Sequence, residues 1–328
     1  GQIVNALPSQ LLLDDPWSSL REYAKESLEV TLETRVLTVD EAGSLEIANA
    51  VQEGENWDAI LHLGLCESCE KPRIETLAQD LLQMRIPDNS GRQITQQSIT
   101  GLGNLPVTVL ADAWMSMPWS VECELSQDAG TYLCNETLYR TLHALNEITS
   151  SDKVIPACLF VHLPSVEKCS FGNALNLVQE VLQRMVFRPV LSVVGALITR
   201  NEHYLVARRS SSERHAGKWE FPGGKVEVDE TQSSALEREM YEEFGWSVSC
   251  SDAIGTWYHS LEHIDIALHI LPTHFLGCVP DFTDKTLWTA HDAVCWRFLA
   301  DESELDWLGN DGAVVEWMKR TNFSPRAK

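Results

Sequence analysis

The chain of 328 residues is long enough for two domains of ordinary size, and 44% hydrophobic with 22% charged residues is a globular composition. A formal charge of −23 excludes nucleic-acid polymers and anionic membranes as natural partners, because affinity for either comes from basic surface; small metal-bound phosphates stay admissible. We find no membrane-length apolar run and no signal-peptide pattern, and nine scattered cysteines fit reduced thiols, so a cytoplasmic protein, with oligomerisation left open, is expected.

In chain order, "RVLTV" (35–39) and "WDAILHLGL" (57–65) read as buried strands, with "SLEIANAVQEG" (44–54) as a helix between them. "CESC", Cys66 to Cys69, has ligand-like spacing but lacks the second pair that a zinc site needs, and reads as loop thiols. After Cys134, the leucines 138, 142 and 145 recur at helical spacing, which puts the cysteine close to a helix start, where the positive dipole end favours a thiolate. A lone cysteine there is also compatible with a buried core position. "ACLFVHLP" is a further strand and "GNALNLVQEVLQRM" a further helix, so the alternation predicts an α/β domain with a largely parallel sheet.

At "MVFRPV", residues 185–190, the pattern changes, and a boundary is expected near residue 188, giving domains 1–188 and 189–328. "VLSVVGALITR", "HYLVARR" and "HIDIALHILPTHF" read as strands of a mixed sheet, with a last helix near "NDGAVVEWMKR". Between them lies "GGKVEVDETQSSALEREMYEEFGW", with seven carboxylates in twenty-four residues. Glu239, Glu242 and Glu243 are related by i, i+3 and i+4, so they share one arc of a helix, beside an apolar stripe of Leu236, Met240 and Phe244. Each like-charged pair at that spacing costs on the order of 0.2–0.5 kcal/mol, and acids in the last turns oppose the helix dipole. Helix stability does not account for them; a hard divalent cation shared with substrate phosphates does.

Gly224, five residues, Glu230, seven residues, then Arg238, Glu239, Met240, Glu242, Glu243, Gly245 and Trp246 at their spacing resemble the Nudix box at every specified position. The resemblance implies an α/β/α sandwich that cleaves nucleoside diphosphates linked to another moiety. It implies that Glu239, Glu242, Glu243 and the Gly224 carbonyl hold Mg²⁺ (or Mn²⁺), that Glu239 takes part in catalysis, and that Glu230, Arg238 and Gly245 support the box. "YLVARRSSSERHAGKWEFPGGKVE" is similar to the MutT-type branch, which sanitises oxidised or modified nucleoside triphosphates. That likeness gives Arg209 and Lys218 to the phosphates, Phe221 to the base pocket and Asn310 to base readout, with a helix cap as the other reading of Asn310. Two departures stand out: Cys278 with Asp281 nearby where a late acid is usual, and Glu262 where the oxidised-guanine enzymes carry an arginine. "WTAHDAVCWRF" instead resembles cytidine-nucleotide pyrophosphohydrolases.

In the first half, "DAGTYLCN", His162 in "ACLFVHLP" and Glu75 in "KPRIETLAQDLLQMRIPDN" resemble the pyroglutamyl peptidases, which remove an N-terminal pyroglutamate from peptides. The resemblance makes Cys134 the nucleophile, His162 its base and then acid, and Glu75 the group that orients the imidazole. Family members begin with a strand and a loop rich in glycine and phenylalanine. Here the opening "GQIVNALPSQLLL" looks like the end of that loop and the following helix, so the first strand is expected to be missing, leaving unpaired backbone beside the sheet. A catalytically idle binding or assembly module is the alternative for this half.

Overall fold

In the computed structural model, residues 2–23, 27–148, 155–301, 304–321 and 323 are described. Contacts divide the chain into two compact units, the first comprising Gly1–Pro16 and Lys25–Arg188, the second Trp17–Ala24 and Pro189–Lys328. The short Trp17–Ala24 segment joins the second unit, where Trp17 is fully buried and the Arg21 Nη1 donates to Asp265 Oδ2 at 3.2 Å. No sequence pattern marks that excursion.

The first unit is built on four strands: β1 (Ala59–Leu65), β2 (Arg73–Glu75), β3 (Glu124–Ser126) and β4 (Ala157–Leu163). Their spatial order is β1-β4-β2-β3; β1 runs parallel to β4 and β2 parallel to β3, while β2 and β4 are antiparallel. The sheet is therefore mixed. Helices α1 (Glu41–Gln52) and α2 (Leu133–Ile148) share a core with it, Leu138, Leu142 and Leu145 meeting Ile60, Cys158 and Phe160. Each such buried leucine contributes about 1.5–3 kcal/mol, which makes the 3.6-residue spacing decisive for α2. Asp40 caps α1 by accepting the Gly43 N–H, and Gly43 is needed there because a Cβ would stand 2.0 Å from the Thr38 carbonyl oxygen. A third helix, α3 (Phe171–Val186), starts on a Ser170 cap and buries Leu177, Val178 and Val181.

Two expectations are corrected here. "RVLTV" has no regular structure and joins no ladder among the described residues, and with β1 it lines a cavity of about 420 Å³. A strand is defined by its partner's hydrogen bonds, and β1 has a partner only on the β4 side. At the start of the chain, only Gln2–Ala6 is helical, whereas Gln10–Asp14 pairs antiparallel with Ser27–Thr31.

The second unit holds an eight-stranded mixed sheet. Its centre is β5 (Val190–Arg200), with β6 (His203–Arg209), β7 (Gly223–Lys225), β8 (Asp265–Phe275) and β9 (His291–Phe298) around it. β5 is parallel to β8; β6 with β9 and β7 with β5 are antiparallel. Helix α4 (Gln232–Phe244) buries Ala235, Leu236, Met240 and Phe244 on one face of the sheet, and α5 (Asp311–Thr321) buries Val314, Val315 and Met318 in a separate cluster with Phe221. The result is an α/β/α sandwich. Thr231 and Ser234 close a capping box at the start of α4, and Gly245 ends it at φ 71°, where a β-carbon would be strained and would meet Leu287 at 2.4 Å.

Candidate active sites

In the first unit the three predicted residues come from three elements and meet. Cys134 is the second residue of α2, His162 lies in β4 and Glu75 ends β2, whose antiparallel register with β4 sets Glu75 opposite Phe160. The His162 Nδ1 is 2.8 Å from Glu75 Oε1, and the Cys134 side chain is near enough to favour the charged ring. Burial works against a charged imidazole here, but Cys134 and Glu75 outweigh it and lift His162 from about 6.5 to about 9. Glu75 is fully buried, with Oε2 lacking a hydrogen-bond partner, so its carboxylate is committed to the imidazole.

Neighbours that motif reading passed over complete this site. The Phe160 ring lies 4.7 Å from that of His162. A Cβ at Gly64 would fall 2.6 Å from the Phe160 ring and 3.1 Å from Cys134 Sγ, so the strand can approach the sulfur only as glycine. Asn135, fully buried, clamps the helix start to the segment before it by accepting from Gln79 N–H and donating to the Gln79 and Leu81 carbonyls. The cavity along β1 opens beside Cys134, between residues 35–39 and 59–65. Cys66 and Cys69, expected as loop thiols, form a disulfide instead; the turn after β1 brings their Cα atoms to 5.4 Å.

In the second unit Arg238 organises the acids. Its guanidinium donates to both Glu230 carboxylate oxygens, to Glu239 Oε1 at 2.9 Å, to Glu242 Oε2 at 3.1 Å and to the Lys225 carbonyl. Those bonds hold Glu230 below the usual carboxylate range. Glu239 moves the other way, because burial outweighs Arg238. Glu243 is lifted furthest, to about 8, by burial and by the charges of Glu220 and Glu239. Gly224 closes the cradle: a Cβ there would stand 2.3 Å from the Glu239 carboxyl carbon.

Among the described residues, no three acidic, histidine or cysteine side chains already converge as a metal cluster. Arg238 engages Glu239 and Glu242, and Glu242 remains exposed. The donor set nevertheless fits a hard cation. Glu243 Oε2 is buried without a hydrogen-bond partner, and two neighbouring carboxyls are raised by burial, a cost that a divalent ion bound by oxygen ligands relieves.

The remaining predicted residues are spread around this helix. Arg209 donates to Glu220 and Glu213, and Lys218 to Asp306 at 2.7 Å. Phe221 is a core residue, packed on Trp307 with ring centroids 6.3 Å apart. Asn310 donates its side-chain amide to the Tyr258 carbonyl on the neighbouring strand Gly255–Ser260. Three further groups were missed in the sequence: Glu220, His291 and Asp311. The His291 Nε2 is 2.8 Å from Glu220 Oε1, a hydrogen bond, and its Nδ1 stands 3.5 Å from Glu243 Oε2 without bonding it, so this buried histidine lies between two acids. Asp311 accepts the Phe221 N–H at 2.7 Å, and burial raises its carboxyl well above the ordinary range. Glu220 sits one residue before Phe221 in a stretch already singled out, but His291 lies 71 residues further along the chain and Asp311 further still, so spacing did not reveal the group.

A cysteine–histidine–glutamate centre and an arginine-braced acidic helix are both hydrolytic arrangements. Residues 20–190, more than half of the chain, match the pyroglutamyl peptidase family, and residues 189–325 match the NUDIX domain. The CTP pyrophosphohydrolase of Escherichia coli is 36% identical over 107 residues, covering 33% of this chain and 75% of that protein. The 8-oxo-dGTP diphosphatase of Proteus vulgaris is 33% identical over 79 residues, covering 24% of this chain and 70% of its own length. The pyrrolidone-carboxylate peptidase of Deinococcus radiodurans is 30% identical over 113 residues; they cover 33% of this chain and 50% of that peptidase, so the chain spans about half of its length. The chain belongs to the pyroglutamyl peptidase family through its first unit and to the Nudix family through its second.

Proposed function

We propose that residues 189–328 form a nucleotide pyrophosphohydrolase that converts a nucleoside triphosphate to its monophosphate and pyrophosphate, with a modified or oxidised base preferred. The observation that carries this reading is the acidic helix, whose Arg238 braces Glu230, Glu239 and Glu242 while Glu243 keeps a buried oxygen without a hydrogen-bond partner. Glu239, Glu242, Glu243 and the Gly224 carbonyl would hold Mg²⁺ or Mn²⁺. When bound, the cation withdraws charge from phosphate oxygens as phosphorus is attacked. Glu239 and Glu243 are both lifted by burial, the direction that suits a carboxylate for taking a proton from water near neutral pH. Arg209 and Lys218 supply positive charge for phosphates, at the expense of their present acid partners. The two named Nudix relatives support oxidised guanine and cytidine nucleotides as the bases to examine first.

The test is a metal-dependent hydrolysis screen over canonical and oxidised nucleotides, with Glu242→Gln as control. Glu242 is exposed, so the variant should fold as the parent does while losing Mg²⁺-dependent turnover. Unchanged turnover would count decisively against this site.

For residues 1–188 the geometry favours a cysteine peptidase that removes N-terminal pyroglutamate over an idle module. His162, charged near neutrality, carries the proton that leaves Cys134 a thiolate; Sγ attacks the amide carbonyl, the ring gives that proton to the leaving amine, and Glu75 holds the ring through Nδ1. Glu75 on one side of the ring and Cys134 acting on it from the other is the order that this chemistry needs. A pyroglutamyl fluorogenic peptide reads the activity, and hydrolysis that survived Cys134→Ser would dismiss Cys134 as nucleophile.

A further inference from the structure

The disulfide between Cys66 and Cys69 sits at the end of β1 and is attached to both sides of the cysteine centre. Cys66 donates its backbone N–H to the Leu163 carbonyl at 2.8 Å, one residue beyond His162. Two residues before Cys66, Gly64 packs so closely that an added carbon would stand 3.1 Å from Cys134 Sγ. Lys168 holds the loop from outside through the Glu67 carbonyl and the Glu70 carboxylate. A change in the 66–69 loop is therefore transmitted to Gly64 and Leu163, the backbone neighbours of the nucleophile and of its base. The two sulfurs differ in access: Cys69 is 1% exposed, whereas Cys66 is half-exposed between solvent-facing Glu67 and Ser68 and the strand.

We infer that Cys66–Cys69 is a reversible thiol–disulfide site that takes a small neutral dithiol and whose state sets the reactivity of Cys134. The inference rests on the peptidase reading of Cys134, His162 and Glu75. One thiolate of the dithiol attacks Cys66 Sγ, and the bond to Cys69 breaks with the electron pair going to Cys69, which takes up a proton. The second thiolate of the reductant then attacks its own mixed disulfide and releases Cys66 as a thiol. The protein disulfide gains two electrons and two protons, the dithiol becomes a cyclic disulfide, and nothing else is consumed. Glu67 and Glu70 beside the accessible sulfur repel anionic thiols, which is why a neutral dithiol is the fitting class. With the bridge closed, Gly64 and Leu163 are pinned and Cys134 is held beside His162; with it open, the strand end relaxes and the thiolate loses that support.

The full chain, untreated or reduced with dithiothreitol and desalted, is labelled with iodoacetamide below pH 7, and each cysteine is followed by mass spectrometry. The mass of the peptide carrying residues 66–69 reports the bridge. Cys134 should label about fivefold faster in the bridged protein, and oxidised dithiothreitol should restore the rate after reduction. A Cys66→Ser, Cys69→Ser double variant should label at the reduced rate under both conditions. Equal Cys134 rates in the bridged and reduced parent overturn the inference, as does failure of the two thiols to bridge under oxidised dithiothreitol. If Cys134 is equally fast in both states, only the redox coupling falls. If it labels no faster than the exposed Cys278 in either state, the peptidase reading falls with it.

Discussion

Glu75→Gln should lower the pH at which the His162 imidazole loses its proton. The wild-type imidazole is lifted from 6.5 to about 9 although burial opposes its charge, a gap of roughly 2.5 units or about 3 kcal/mol in favour of the charged ring. Cys134 and Glu75 carry that gain, so removing the glutamate charge should bring the ring down from about 9 toward its ordinary value. The glutamine amide can still hydrogen-bond Nδ1 across the 2.8 Å contact, which keeps the ring in place while its charge support goes. Below pH 7 the parent ring is charged, so the difference should show above neutrality, where the variant's imidazole gives up its proton at a lower pH than the parent's. The assay is a pH titration of the His162 ring by NMR.

The same residue sets a stability window of known sign. A folded value of about 9 above an unfolded value of 6.5 means that the stabilisation is fully present below the unfolded value and is lost as pH rises through about 9. Denaturant unfolding of the parent should therefore show falling stability across that interval, and Glu75→Gln should flatten the fall. A variant with the parent's His162 titration and pH slope would show that Glu75 does not charge the histidine, and the reasoning would be wrong.

Gly224→Ala should cut Mg²⁺-dependent turnover by at least about tenfold, because its Cβ would stand 2.3 Å from the Glu239 carboxyl carbon and displace it; an unaltered Mg²⁺ titration would remove Gly224 from the cradle. Asn310→Ala should cost about 1 kcal/mol of stability through the lost bond to the Tyr258 carbonyl, and should weaken discrimination between oxidised and canonical nucleotides more than turnover. Competition between the two nucleotides reads this, and intact discrimination would leave Asn310 a structural tie. Bonds from Ala157 N–H to Asp58 O and from Cys66 N–H to Leu163 O turn the even-numbered backbone groups of β1 toward β4. The Leu61 and Leu63 amides on the open edge should then exchange with deuterium faster than those of Ile60 and His62, and equal protection would reveal a second partner strand.

The elements were legible where burial alone defines them. Periodicity located α2, α3 and α4 because a leucine every three or four residues reports which face is covered. It failed at "RVLTV", since hydrophobicity reports burial and says nothing of pairing, and that segment, lining the cavity along β1, has no ladder partner among the described residues. The Cys66–Cys69 bridge was missed for a related reason: counting ligands for a metal asks for four sulfurs or imidazoles, whereas a disulfide needs only a turn that brings two Cα atoms to 5.4 Å. Residues 75, 134 and 162 carry no local spacing at all. They were found through resemblance, and the antiparallel register of β2 against β4 supplies the physical reason that they meet.

The three glutamates of α4 show where a motif stops being informative. Spacing makes Glu239, Glu242 and Glu243 equivalent members of one arc, and their repulsion at the C-terminal end of the helix is common to all. Tertiary contacts then separate them. Glu242 is exposed and reaches Arg238, which suits a side chain free to reorient toward a ligand. Glu239 shares the same guanidinium but is half-buried against Gly224, so its position is fixed by backbone on one side and by charge on the other. Glu243 lacks Arg238 and faces His291 and Glu220, residues contributed by other strands, and its carboxyl is the one lifted to about 8. The electrostatic cost that a sequence assigns to the whole run therefore falls on Glu239 and, most heavily, on Glu243. Burial is the first cause, and the charge of Glu220, a buried acid from "KWEFPGG" that only the folded sheet brings near, is the next.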